Sequence, residues 1–108
     1  MKYYDITNTR LADTAADSAI NRSAEQVALE SHLQANQERY TDISRIGATT
    51  KELADLKLQM ARTMVSLERG DEAWSLGREA LDIFIEQEDF ESAADACDVL
   101  FQAEQPIR

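Results

Sequence analysis

The chain has 108 residues, 44% of them apolar, which fits one domain around one hydrophobic core and excludes wholesale disorder. No apolar run approaches the roughly 20 residues that a membrane-spanning helix needs. The formal net charge of −10 repels nucleic acid and anionic lipid heads, so neither is expected as a partner.

Composition points to helices. Aromatic residues make up only 6%, Gly occurs three times, and the single proline, Pro106, leaves residues 1–105 uninterrupted. Ala, Leu, Gln and Glu are plentiful, and these favour helix over strand. One all-α domain over residues 1–108 is expected, with 1–8 as an irregular arm and 104–108 as a tail. The polar stretch Met1 to Arg10 lacks the apolar segment of a secretory leader, so the expected location is the cytoplasm.

The arm holds Tyr3, Tyr4 and Ile6, which are expected to tuck against the body. Thr7, Asn8 or Thr9 is the expected cap of a first helix reaching about Ile20. Its Leu11, Ala12, Ala15, Ala16 and Ala19 form a stripe of small residues suited to close packing. A break is expected at Asn21-Arg22-Ser23, and Ser23 with Gln26 makes a capping box for a second helix from Ala24 to about Ile46. On that helix Leu29, Leu33, Asn36, Tyr40 and Ile43 alternate four and three residues apart, a seam of coiled-coil type with one polar member. Two readings stay open: the seam packs on the protein's own helices, or it joins two chains in a homodimer with Asn36 setting the register.

Gly47 ends the second helix, and Thr49 with Glu52 makes another capping box. The third helix is expected from Thr50 to Glu68, with Leu53, Leu56, Met60, Met64 and Leu67 as its apolar stripe and Ala61 beside it. Arg69-Gly70-Asp71 reads as a turn in which Gly70 is left-handed and Asp71 caps. The fourth helix, Glu72 to Gln87, places Ala73, Gly77, Ala80, Leu81 and Phe84 on one face. Asp89 caps the fifth, Phe90 to Ala103, which is expected to turn Phe90, Ala93, Ala94, Cys97, Leu100 and Phe101 inward and Glu91, Asp95 and Asp98 outward. Turns this short force successive helices to lie antiparallel.

The sequence assembles no catalytic, metal or cofactor constellation. His32 is the single histidine, and neither Glu30 nor Glu38 stands at a metal-ligand spacing from it. Cys97 is the single cysteine, expected to be a small buried hydrophobe. Gly47, Gly70 and Gly77 are too dispersed for a phosphate loop. The expectation is therefore a protein that is not an enzyme.

Charge and aromatics suggest where a partner is held. Residues 1–50 carry five basic and seven acidic side chains, but residues 51–108 carry six and fourteen, with no Lys or Arg between Arg78 and Arg108. Glu88, Asp89, Glu91 and Asp95 lie in that acidic interval, which suits a basic partner or serves only solubility. Trp74 reads either as a partly buried core residue or, with Arg69 and Arg78, as the anchor of a recognition patch.

Ala61, Ala73 and Ala80 lie twelve and seven apart, Leu81 follows, and Phe90, Ala93 and Leu100 open a similar pattern. Over about residues 50–103 this resembles the tetratricopeptide repeats. The pattern recurs after 20 residues, from Ala73 to Ala93, instead of the 34 of that family. The resemblance implies a protein-binding module whose groove cradles a partner segment. The expected architecture is thus an array or bundle of about five antiparallel helices. Its expected role is that of an adaptor or dedicated chaperone. The alternatives are a homodimer through the seam and an acidic regulator that imitates nucleic-acid charge.

Overall fold

With no glycine or proline before Gly47, nothing in the first 46 residues forces the backbone out of a helix. The computed structural model accordingly shows four helices, not five: α1 (Lys2–Arg45), α2 (Thr50–Ser66), α3 (Gly70–Glu86) and α4 (Phe90–Glu104). The structure describes the backbone of residues 2–104 and the side chains of residues 18–104. All regular structure among these residues is helical.

The expected irregular arm and the break at Asn21-Arg22-Ser23 are both absent, because residues that suit caps only permit a helix end and do not require one. Ser23 and Gln26 consequently form no capping box, and Gln26 Nε2 donates to Glu30 Oε1 at 3.3 Å along the continuous helix. The expected packing of Tyr3, Tyr4, Ile6, Leu11, Ala12, Ala15 and Ala16 lies outside the described side chains. Ala19 is exposed, as is every side chain from Ser18 to Ala28. At 44 residues α1 runs about 66 Å, and among the described side chains Leu33, Tyr40 and Ile43 in its C-terminal half pack against α2.

The C-terminal ends of α1, α2 and α3 use the same device. The N–H of Ala48 returns to Ile43 O, that of Arg69 to Met64 O and that of Asp89 to Phe84 O, each across five residues. A shorter bond nests inside each: Gly47 to Ser44, Glu68 to Val65 and Glu88 to Ile85. This is the Schellman arrangement, and it demands a left-handed residue just past the helix. Gly47 fills that position at φ +87°, but Glu68 and Glu88 fill it at φ 61° and 59°.

The expected left-handed Gly70 is therefore displaced by two residues. Gly70 is the first residue of α3, the N-cap is Arg69, and Asp71 caps nothing. A packing reason holds the glycine there: a Cβ on Gly70 would sit 2.8 Å from the carbonyl oxygen of Ala103 at the end of α4. The other two caps are formed. Thr49 Oγ1 accepts from Glu52 N at 3.2 Å, and Asp89 Oδ1 accepts from Ser92 N at 3.2 Å.

Helix starts at residues 50, 70 and 90 give the C-terminal array a 20-residue period of one helix and one turn. Neighbouring helices run antiparallel, since Ala61 meets Gly77 and the start of α3 meets the end of α4. Two apolar clusters form around α2. Leu56, Met60 and Met64 pack with Leu33 of α1 and Ala73 of α3. Ala54, Leu58 and Ala61 pack with Ala80 and Phe84 of α3 and with Ala93, Ala96 and Val99 of α4. α2 thus buries two faces where its sequence suggested one, because it has helices on two sides.

On α4 the expected face is only partly correct. Ala93, Ala96 and Val99 are buried and Leu100 is half-buried, whereas Phe90, Ala94, Cys97 and Phe101 are exposed. Two apolar stripes compete on this helix, and the smaller side chains win the interior. Gly77 explains this, for a Cβ there would meet Leu100 Cδ2 at 3.2 Å and Ala61 Cβ at 3.9 Å.

Two variants separate these backbone constraints. Replacing Glu68 and Glu88 by Gly removes left-handed strain of about 1–2 kcal/mol per residue, offset in part by greater unfolded-chain freedom. A net gain of about 1 kcal/mol for the pair is expected in urea unfolding. Gly70→Ala should destabilise by about 1–3 kcal/mol despite alanine's higher helix propensity, because a backbone carbonyl must move. Unchanged midpoints for both variants would remove this account of the turns.

Candidate interaction surface

The 20-residue period allows the same helix position to be compared three times. Positions 50, 54, 57 and 61 of α2 are spaced four, three and four apart, so they share one face, and that face meets α3. Ala54 and Ala61 on it are 0% exposed, and Lys57 Nζ reaches Glu79 at 3.0 Å. One period later the face is Gly70, Trp74, Gly77 and Leu81 of α3. Its two glycines touch α4 at Ala103 and Leu100, and Trp74 and Leu81 are half-buried.

Two periods later the face is Phe90, Ala94, Cys97 and Phe101 of α4. No described element covers it, and Phe90 and Phe101 stand 65% and 64% exposed. Lone exposed apolar residues are ordinary on a protein surface, but two aromatics aligned on one helix with small apolar residues between them form a continuous apolar strip. The two rings lie eleven residues apart, about 16 Å along the axis, and Ala94 and Cys97 form a shallow dip between them.

Charge borders the strip. Glu91, Asp95 and Asp98 each follow a strip residue by one position and lie exposed along one flank. Asp95 is 3.9 Å from Arg62 of α2, while Glu91 and Asp98 have no ion pair among the described residues. Sequence reasoning had turned the strip inward. Its exposure is signalled only by the rival stripe Ala93, Ala96, Val99 and Leu100 and by the glycines opposite that stripe.

Of the residues expected to form one recognition patch, Trp74 and Arg78 stand one turn apart on α3 and Arg69 is the N-cap of that helix. Arg69 lies 3.9 Å from Glu30 of α1, and Arg78 pairs along its own helix with Asp82 at 3.3 Å. Trp74 lines a cleft with Gly70, Asp71, Ser75, Ala103 and Glu104, at the far end of α4 from Phe90. Glu88 is the left-handed turn residue.

Asp89 has a structural task. Besides capping α4, its Oδ2 is shut off from solvent and faces Lys51 Nζ of α2 at 3.0 Å. The bridge ties the first turn of α2 to the start of α4. Hydrogen bonds from Ser92, followed by the Lys51 ammonium, hold the Asp89 carboxyl below its usual range, and Asp89 in turn raises the Lys51 ammonium.

The seam Leu29, Leu33, Asn36, Tyr40 and Ile43 faces α2 of the same chain. Leu33 and Asn36 are buried, and Tyr40 and Ile43 pack against the cluster of Leu56, Met60 and Met64. Asn36 Nδ2 lies 3.3 Å from His32 Nε2, so the buried amide finds its partner one turn back on α1. A homodimer through this seam would require α2 to leave it. Nearby, Tyr40, Lys57, Met60, Met64 and Leu76 line a cleft of about 290 Å³, with Lys57 Nζ 5.7 Å from the Tyr40 ring centre.

No group of three or more potential metal-ligating side chains stands together among the described residues, and no helix there is long and apolar enough to cross a membrane. Comparison of the chain with protein-family models, curated proteins and solved structures gave no match.

A carboxyl held low when folded contributes stability above its unfolded pKa of about 3.9, and that contribution is lost as pH falls through the lower folded value. Asp89→Ala should therefore lower the thermal midpoint at neutral pH, and its gap to wild type should close below about pH 4. Melts followed by circular dichroism at stepped pH check this; a gap independent of pH would leave Asp89 no electrostatic part.

Proposed function

We propose that this chain is a non-enzymatic protein-interaction module of the cytoplasm, a tetratricopeptide-like helical array that acts as an adaptor or dedicated chaperone. It holds a segment of another protein, and its contact surface is the outer face of α4. The observation that carries this reading is the aligned exposure of Phe90 and Phe101 at the open end of the array. Aromatic anchors of this kind concentrate binding energy at interfaces. The likeness to tetratricopeptide repeats is supported by Ala61, Ala73 and Ala80, all fully buried in helix-to-helix contacts. The shallow clefts beside α3 mix methionine and leucine with Tyr40, Lys57 and surface carboxylates, and Lys57 is engaged by Glu79 at 3.0 Å.

Affinity capture from the native cell tests the reading. Wild type is compared with a Phe90→Ser/Phe101→Ser variant, whose substitutions fall on exposed side chains, and with a Trp74→Ala/Arg78→Ala variant. The expected outcome is a partner retained by wild type and by the second variant, with recovery reduced about tenfold or more for the first. Equal recovery by all three, or no partner at all, would remove α4 as the contact surface.

A further inference from the structure

The array itself indicates the shape of what belongs on α4. The face at 50, 54, 57 and 61 is covered by a helix, the next helix of the chain, and so is the face at 70, 74, 77 and 81. The equivalent face at 90, 94, 97 and 101 has no such cover among the described residues. A helix laid there extends a packing rule the protein already applies twice. Its dip at Ala94 and Cys97, between the two phenylalanines, accepts one bulky aliphatic side chain, as a ridge enters a groove.

Charge then selects the kind of helix. Glu91, Asp95 and Asp98 line one flank; Arg62 of α2 reaches Asp95 at 3.9 Å, while Glu91 and Asp98 have no ion pair among the described residues. A second copy of the chain would set these carboxylates against their own kind, whereas a basic helix would pair with them. Resting on the proposed function above, we infer that the outer face of α4 receives a single amphipathic helix of a partner protein, with leucine-like residues in the dip and lysine or arginine along its edge.

Cys97 lies in the middle of the strip and is exposed, so its alkylation rate reports occupancy directly. Three synthetic peptides of about five helical turns serve as probes. One carries leucine at helical spacing on a lysine background, one has the same pattern on glutamate, and one has the leucine and lysine residues scrambled. The leucine–lysine helix should slow Cys97 alkylation about fivefold or more at saturation, and the other two should not. In fluorescence anisotropy its affinity should fall about tenfold for Phe90→Ser/Phe101→Ser. Glu91→Lys/Asp98→Lys should shift the preference toward the glutamate helix.

Several results would overturn the inference. Equal protection by the scrambled peptide would mean attraction by charge alone, and equal protection by the glutamate helix would mean that the acids select nothing. Binding that ignores the phenylalanine substitutions would place the peptide elsewhere, and no binding by any peptide would reject a helical occupant. A protein that sediments as a dimer with Cys97 already shielded would make a second copy the occupant. If capture from the cell still depends on Phe90 and Phe101 in any of these cases, the proposed function stands and only the occupant is wrong.

Discussion

Helices approach one another only as closely as the side chains between them permit, and here that distance is set by small residues on α3. Gly77 lies between Ala61 of α2 and Leu100 of α4, and Gly70 lies under the backbone of Ala103. Any larger residue at these points would wedge the helices apart. Close approach brings Phe84 and Val99 into a fully enclosed cluster, where each side chain is removed from water on all sides. An internal glycine weakens a helix by about 1 kcal/mol relative to alanine, and the packing it allows offsets that cost.

The turns obey the same demand. Because Gly70 must stay inside α3, the chain completes its reversal earlier, and Glu68 takes the left-handed conformation that a glycine would hold with less strain. The third turn repeats this with Glu88. Identical reversals separated by one helix length generate the 20-residue period, and the period places equivalent faces in equivalent positions. The Lys51–Asp89 bridge then connects helices that are not neighbours in sequence, so α2 and α4 are tied at their starts.

An array of this kind has an intrinsic asymmetry. α2 and α3 are covered on two sides, but one face of α4 has no cover among the described residues. An inert terminus would be polar. α4 instead presents two phenylalanines, an alanine and a cysteine beside a row of carboxylates. Part of the acidic surface and an exposed aromatic pair thus meet on one helix, while Trp74 lies half-buried on α3.

Much was legible in the residues alone: helical class, the ends near Gly47 and Gln87, the caps at Thr49 and Asp89, and the small-residue face of α3. These follow from interactions within a few positions of one another, and local chemistry is what a sequence states directly. The seam from Leu29 to Ile43 was visible too, as a periodicity, but its partner was not. Other features depended on distant neighbours. Whether Asn21-Arg22-Ser23 ended a helix, where the left-handed residue near Gly70 fell, and which stripe of α4 turned inward were all open to more than one local answer. On α4 the choice was between larger and smaller apolar side chains, and hydrophobicity favoured the larger. Tertiary structure decided for the smaller because the glycines of α3 bring Leu100 and Ala103 of α4 close, and the stripe on their side turns inward with them. That decision, made by the shape of the neighbouring helix, placed the aromatic strip on the surface.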